Sequence, residues 1–399
     1  MASVLKPLPS PPAPPDLSRR RWLTQVTTPF PTLLGASLLS LVPHLPTQAA
    51  PASERKKSGH ARSVERKAAP KPRQGDAYAT RADAMAFAED LATRRDLDLA
   101  WVRGAIGAAR FLPAVPRLML PPPAGTPKNW RVYRSRFIDA IRIQAGVRFW
   151  TTHRAWLEQA EKVYGVPAAI IVGIIGVETI YGQQMGNYRV IDALCTLSFD
   201  FPAGHPRAAE RRAFFRGELE QFLSLQSRTG NDPLAPLGSY AGAMGMPQFM
   251  PSSWVRFAVD FDGDGRIDLR DSPGDVIGSV ANYFRAFDWK PGQPTHFAVQ
   301  LRADADLSTL LAPDILPSFS AARLMELGVD LDAQGRTHAG PLALIELQNG
   351  TEAPSFVAGT ENFYAITRYN WSSYYAMAVI ELGEAVARAL AQEAPGASR

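Results

Sequence analysis

The sequence predicts a mainly α-helical protein, α+β by class, with a small β-containing insertion. Apolar residues recur at helical spacing from about Asp76 onward, and short β-type runs occur only beyond residue 300. Apolar residues make up 46% of the chain and charged residues 20%, the balance of a soluble protein with a sizeable core. A length of 399 residues suffices for one large or two medium domains. No internal repeat is visible.

Taken in order, residues 1–50 read as an export signal. Arg19-Arg20-Arg21 precede a modest apolar stretch, Leu33 to Val42, and small residues follow at Thr47-Gln48-Ala49-Ala50. The stretch is too short to span a bilayer comfortably. Ser18 to Leu23 resembles a twin-arginine signal with Trp22 where Phe is usual, and no cysteine follows to carry a lipid. A periplasmic location is therefore expected. Residues 51–75 are a basic Pro/Ala linker without apolar periodicity. Residues 76–392 read as the folded region and 393–399 as a tail.

Within the folded region, Ala84 to Leu91 forms one helical stripe. Phe137-Ile138-Ile141-Ile143 begins another that continues past Trp150 and Trp156. Pro167 opens a very apolar helix running to Tyr181. Arg212 to Leu225, Val276 to Phe287 and Ala376 to Leu390 give further helices. Leu342 to Leu347 and Asn362 to Arg368 read as short strands, placing the β-containing part at about 340–370.

A net charge of +5 invites a nucleic-acid reading, which its distribution excludes. Residues 1–75 hold 12 Lys/Arg against 3 Asp/Glu, and the rest holds 31 against 35. A nucleic-acid-binding domain carries its positive charge on the fold itself. The single cysteine, Cys195, sits among apolar neighbours as a buried inert thiol, with no CxxC motif possible. The six histidines show no zinc-ligand spacing.

Three clusters carry chemistry. The run Ala168 to Val177 ends in Glu178, one turn from Ile174 and Ile175 if helical. Such surroundings raise a carboxyl pKa, as a general acid requires; the alternative is a helix-terminal salt bridge. Gly173, Gly176 and Gly182 suggest close backbone packing around it. The second cluster, Ser239 to Ser253, combines glycines and small residues with the Ser239 hydroxyl, the Gln248 amide and the flat Phe249 face. That set suits a sugar bearing hydroxyl and acetamido groups, or is simply a turn before a helix at Pro251. The third, Asp260 to Asp271, matches an EF-hand calcium loop: Asp260, Asp262 and Asp264 at positions 1, 3 and 5, Gly265 at 6, the Arg266 carbonyl at 7, Ile267 pointing inward, and Asp268 at 9. Position 12 is Asp271, shorter than the usual Glu, so Ca2+ is expected to bind weakly and to be structural.

Together, Gly176-Val177-Glu178-Thr179-Ile180-Tyr181-Gly182, Ser239 to Ser253 and the acidic loop resemble the lytic murein transglycosylase B family. Ala193 to Asp200 and Asn362 to Asn370 fit the same family in order, over roughly residues 80–392. The resemblance implies a lysozyme-like helical core with a flanking helical domain. It implies cleavage of the β-1,4 bond between N-acetylmuramic acid and N-acetylglucosamine in peptidoglycan, leaving 1,6-anhydromuramyl ends. Glu178 matches the family's catalytic acid/base, and Ser239, Gln248, Tyr369 and Asn370 match positions lining the glycan groove. Arg211 and Arg212 correspond to a substrate-touching arginine pair, although Ala203 to Glu210 intervene where the family runs directly from Tyr-Pro to the arginines. The partner implied is the glycan strand, with cell-wall synthesis proteins as further candidates and a monomeric chain. No cofactor is needed for bond breaking. A muramidase-type hydrolase, a non-catalytic peptidoglycan-binding protein and a calcium sensor are the competing readings.

Overall fold

The computed structural model describes residues 74–123 and 125–393. The export signal, nearly all of the linker and the chain beyond Glu393 lie outside the described residues.

Three apolar cores organise the chain. The first is built on the helix Ala168–Thr179, in which Ile171, Val172, Ile174 and Ile175 are fully buried. The long helix Ser373–Glu393 packs along it, with Ala140–Thr152, Arg154–Tyr164 and Pro273–Ala286 around the pair. The sequence permits this closeness. A Cβ on Gly173 would sit 2.2 Å from the Val379 carbonyl oxygen, and one on Gly383 2.0 Å from that of Ala169. The two backbones touch where both glycines fall, and apolar burial of roughly 2 kcal/mol per large side chain holds them together. Helix ends follow local chemistry. The Asp139 side chain accepts the Arg142 N–H, that of Ser272 accepts the Asp275 N–H, and Gly165 ends its helix in the left-handed region.

The second core joins Ala82–Arg95, Leu99–Ala108, Val190–Phe199 and Ala208–Thr229. Cys195 is fully buried there, and burial pushes its thiol well above the usual range. The third core lies under a four-stranded antiparallel sheet ordered Val329–Leu331, His296–Leu301, Glu352–Gly359, Ala343–Asn349. Register is set by pairs such as Phe297 with Ala358 and Ile345 with Val357. Among the described residues no single helix is long and apolar enough to cross a membrane.

Four expectations are corrected. Asn362 to Arg368 is not a strand; Glu361–Thr367 is a helix, because the Thr360 side chain accepts the N–H groups of Asn362 and Phe363. The main β-containing part spans 296–359 and not 340–370, since the strand His296–Leu301, with its mixed burial, pairs with both of its neighbours, and strands also occur well before residue 300, where Tyr188–Arg189 pairs with Leu237–Gly238. The stripe begun at Phe137 does not run on unbroken. The helix Ala140–Thr152 stops at His153 and a new one starts at Arg154, while Ile141 is 72% exposed. The helix expected from Pro167 begins at Ala168, with Pro167 as its N-cap, and ends at Thr179.

Candidate active site

Glu178 is the next-to-last residue of the helix Ala168–Thr179, flanked by buried Ile174, Ile175 and Val177. Its own side chain is partly exposed. Tyr375, fully buried on the C-terminal helix, donates a 2.6 Å hydrogen bond to Glu178 Oε1. Burial disfavours the carboxylate and the Tyr375 hydroxyl favours it. Burial wins, lifting the pKa from 4.5 to about 7. Among the described residues no second carboxylate acts on Glu178. A pKa raised toward neutrality lets the group both give and take a proton near neutral pH, the poise of an efficient general acid/base.

Tyrosines wall the carboxyl. The phenols of Tyr133, Tyr369 and Tyr375 are all pushed up, first by burial and then by negative charge on Glu178. Tyr369 stacks on Tyr375 with centroids 6.3 Å apart and planes 16° apart. Its hydroxyl donates to the Pro247 carbonyl, tying this wall to the turn that carries Gln248. Tyr133 keeps its buried hydroxyl without a partner. Asn370, next to Tyr369, is partly exposed.

The turn itself is tightly wound. Ser239 Oγ accepts the Ala241 and Ala243 N–H groups at 3.3 and 3.0 Å, and Ser239 is 9% exposed. Gln248 stands at φ 49° and donates to Met185 O and Gly245 O. Arg211 and Arg212 lie on the helix Ala208–Thr229 of the second core. The residues Ala208 to Glu210 of the intervening stretch form its first turn. The Arg211 guanidinium lies 5.1 and 5.2 Å over the Phe214 and Phe215 rings, and burial pulls its pKa down. Both arginines have a buried Nε without a partner. Among the described residues no hydrogen bond or ion pair joins either to Glu178. The fold thus brings Glu178, Tyr369 and the Gln248 turn together, and it sets Arg211 within electrostatic reach of Tyr240 at the start of that turn.

Sequence reasoning missed Tyr375 and Tyr133. Tyr375 is 197 positions from Glu178, and the Tyr374-Tyr375 pair opening an apolar helix was the one available signal.

In the acidic loop, carboxylate oxygens of Asp260, Asp262 and Asp264 lie within 4.8 Å of one another. Asp260 accepts the Gly263 and Gly265 N–H groups at 2.7 and 2.9 Å. Asp268 accepts those of Arg270 and Asp271, while Asp271 and Arg266 are exposed. Ile267 does not point inward; it is 43% exposed. Phe261 and Leu269 fill the interior instead, since buried Asp275 beneath the loop accepts the Phe261 and Asp268 N–H groups at 2.7 and 2.8 Å and fixes that turn. Three converging hard oxygen donors fit a calcium ion by donor chemistry.

The helical core, of the lysozyme-like class, presents one carboxyl raised to about 7 among tyrosines. Comparison with known proteins places the fold. Residues 79–384 match the model of the transglycosylase SLT domain. The chain is 41% identical over 332 residues to membrane-bound lytic murein transglycosylase B of Escherichia coli (strain K12), covering 80% of this chain and 86% of the relative. Among solved structures, the Escherichia coli lytic transglycosylase Slt35 in complex with calcium superposes with a TM-score of 0.68 at 40% identity, covering 80% of this chain and 96% of that one. SltB3 from Pseudomonas aeruginosa in complex with NAG-NAM-pentapeptide gives 0.63 at 30% identity, covering 76% and 78%. The chain belongs to the SLT-domain transglycosylase family.

Proposed function

We propose that the chain cleaves the β-1,4 bond between N-acetylmuramic acid and N-acetylglucosamine in peptidoglycan and closes a 1,6-anhydro ring on the muramyl side. The observation that carries this is the carboxyl of Glu178, held near pKa 7 with no second carboxylate among the described residues acting on it. Two-carboxylate glycosidases need a base or nucleophile opposite the acid. Here one group serves both steps. Protonated Glu178 gives its proton to the glycosidic oxygen as the bond to the muramyl anomeric carbon breaks. The substrate's 2-acetamido carbonyl stabilises that centre. The carboxylate, steadied by the Tyr375 hydroxyl, then takes the proton of the muramyl 6-hydroxyl as it attacks. A tethered hydroxyl outcompetes water through its effective molarity.

Ser239, Gln248, Tyr369, Asn370, Arg211 and Arg212 are the residues we assign to glycan binding. The unpartnered Nε atoms of the two arginines support a role toward an anionic or carbonyl-bearing part of the substrate. Calcium bound at Asp260, Asp262 and Asp264, with the Arg266 carbonyl, Asp268 and Asp271 completing the set, would neutralise a cluster of like charge and so stiffen the loop. The calcium complex of the Escherichia coli relative supports this assignment. With the basic leader and linker, the reading places a monomeric enzyme in the periplasm, on glycan strands. Mass spectrometry of digested sacculi tests it: the anhydro product is one water lighter than a hydrolysis product, and Glu178→Gln should release neither. Full-mass reducing ends from the wild type would make the enzyme a hydrolase.

A further inference from the structure

The chain just beyond Glu178 takes a conformation few sequences adopt. Ile180 and Tyr181 both have left-handed φ values, 51° and 55°. For a β-branched residue such as Ile180 this is a genuine outlier, and it persists only where the surroundings over-determine it. They do so here. The Ile180 and Tyr181 N–H groups each donate at 3.2 Å, to Gly176 O and Ile175 O. The Tyr181 ring stacks on Phe149 with centroids 5.2 Å apart. Its hydroxyl fills a slot where a Cβ on Gly146 or Gly176 would lie 2.4 or 2.5 Å away.

Thr179 is the hub of this turn. It is fully buried, and its Oγ1 donates to Met246 O at 2.8 Å while accepting the Gly182 N–H at 3.0 Å. Met246 stands two residues before Gln248, and its own N–H donates to Leu269 O at 2.8 Å. One side chain thus joins the end of the Glu178 helix, the strained turn and the Ser239–Gln248 segment. A dry hydroxyl that must donate once and accept once leaves each partner little freedom.

We propose that Thr179 is a positioning residue: its hydroxyl pins the end of the Glu178 helix to the Met246 carbonyl, so that the acid and Gln248 keep one fixed spacing across the glycan. The inference rests on the reading of Glu178 as the acid. Thr179→Val keeps the shape and removes the hydroxyl; Thr179→Ser keeps the hydroxyl. On purified sacculi, Thr179→Val should lose about 10- to 100-fold in kcat, the scale of a misplaced reacting group. The basic limb of its pH–rate profile should move to lower pH as water reaches the loosened carboxyl. Thr179→Ser should stay close to wild type. Wild-type kcat and an unmoved limb in Thr179→Val, whatever its melting temperature, would overturn the proposal and leave Thr179 a merely structural residue. Should the valine variant fail to fold, Thr179→Ala against Thr179→Ser, a pair differing by one oxygen, reads the same comparison. Glu178→Gln run alongside separates the two layers. Activity there sinks the reading of the site, whereas a dead Glu178→Gln beside an unimpaired Thr179→Val sinks this inference alone.

Discussion

Replacing Glu178 with Gln should make the protein more stable at alkaline pH while it abolishes turnover. In the folded chain Glu178 titrates at about 7 against 4.5 in its absence of burial. Below pH 4.5 both states carry the proton and the group contributes nothing. As pH rises through the interval up to 7 the unfolded chain gives up its proton first, so native stability falls. Above 7 the penalty is constant. At 1.36 kcal/mol per pH unit it is at most ~3 kcal/mol, and solvent reaching the partly exposed side chain reduces it to about 2 kcal/mol. Glutamine has the same shape and no ionisation, so it escapes that penalty. Calorimetric melts of the two proteins should coincide near pH 4.5 and separate by several degrees at pH 8.5, with the variant the higher. A variant melting below wild type at pH 8.5, or a gap that does not depend on pH, would refute the claim that burial rather than a salt bridge sets this carboxyl.

Removing the Tyr375 hydroxyl takes away the one influence that favours the carboxylate. In Tyr375→Phe the basic limb of the pH–rate profile should therefore shift upward, and kcat should fall about tenfold with loss of one hydrogen bond to the charged form; an unmoved limb counts against the contact. Calcium should raise the melting temperature of the wild type and chelator should lower it. Asp262→Asn should blunt that response several-fold with little change in kcat per folded molecule, and a large fall in kcat instead would mean the loop takes part in the reaction.

Much of the helical architecture was legible because its signals are local. The apolar run into Glu178 and the small-residue turn before Pro251 each depend on neighbours in sequence. The strand misreading at Asn362 to Arg368 shows where locality fails. Phe363, Tyr364, Ile366 and Thr367 have the aromatic and β-branched character of a strand. The Thr360 cap overrides them, and so does the buried Asn362 amide, which donates to Lys290 O and Gln293 O. The site was half legible for the same reason. Glu178 announces itself by its surroundings in the chain, whereas Tyr375 and Tyr133 are brought to it by two other helices, Ser373–Glu393 and Trp130–Arg134, far from it in sequence. Ile267 misled because the loop pattern predicts an inward side chain. The role of Asp275 beneath the loop belongs to a residue outside that pattern.

The last helix of the described fold supplies the tyrosine that touches Glu178 and much of the apolar packing against the helix that carries it. That helix is also the last of these elements to be made. The proton affinity of Glu178 therefore depends on a residue 197 positions further along the chain. Any change that shifts the helix Ser373–Glu393 along Ala168–Thr179 is felt at the carboxyl before it is felt anywhere on the surface.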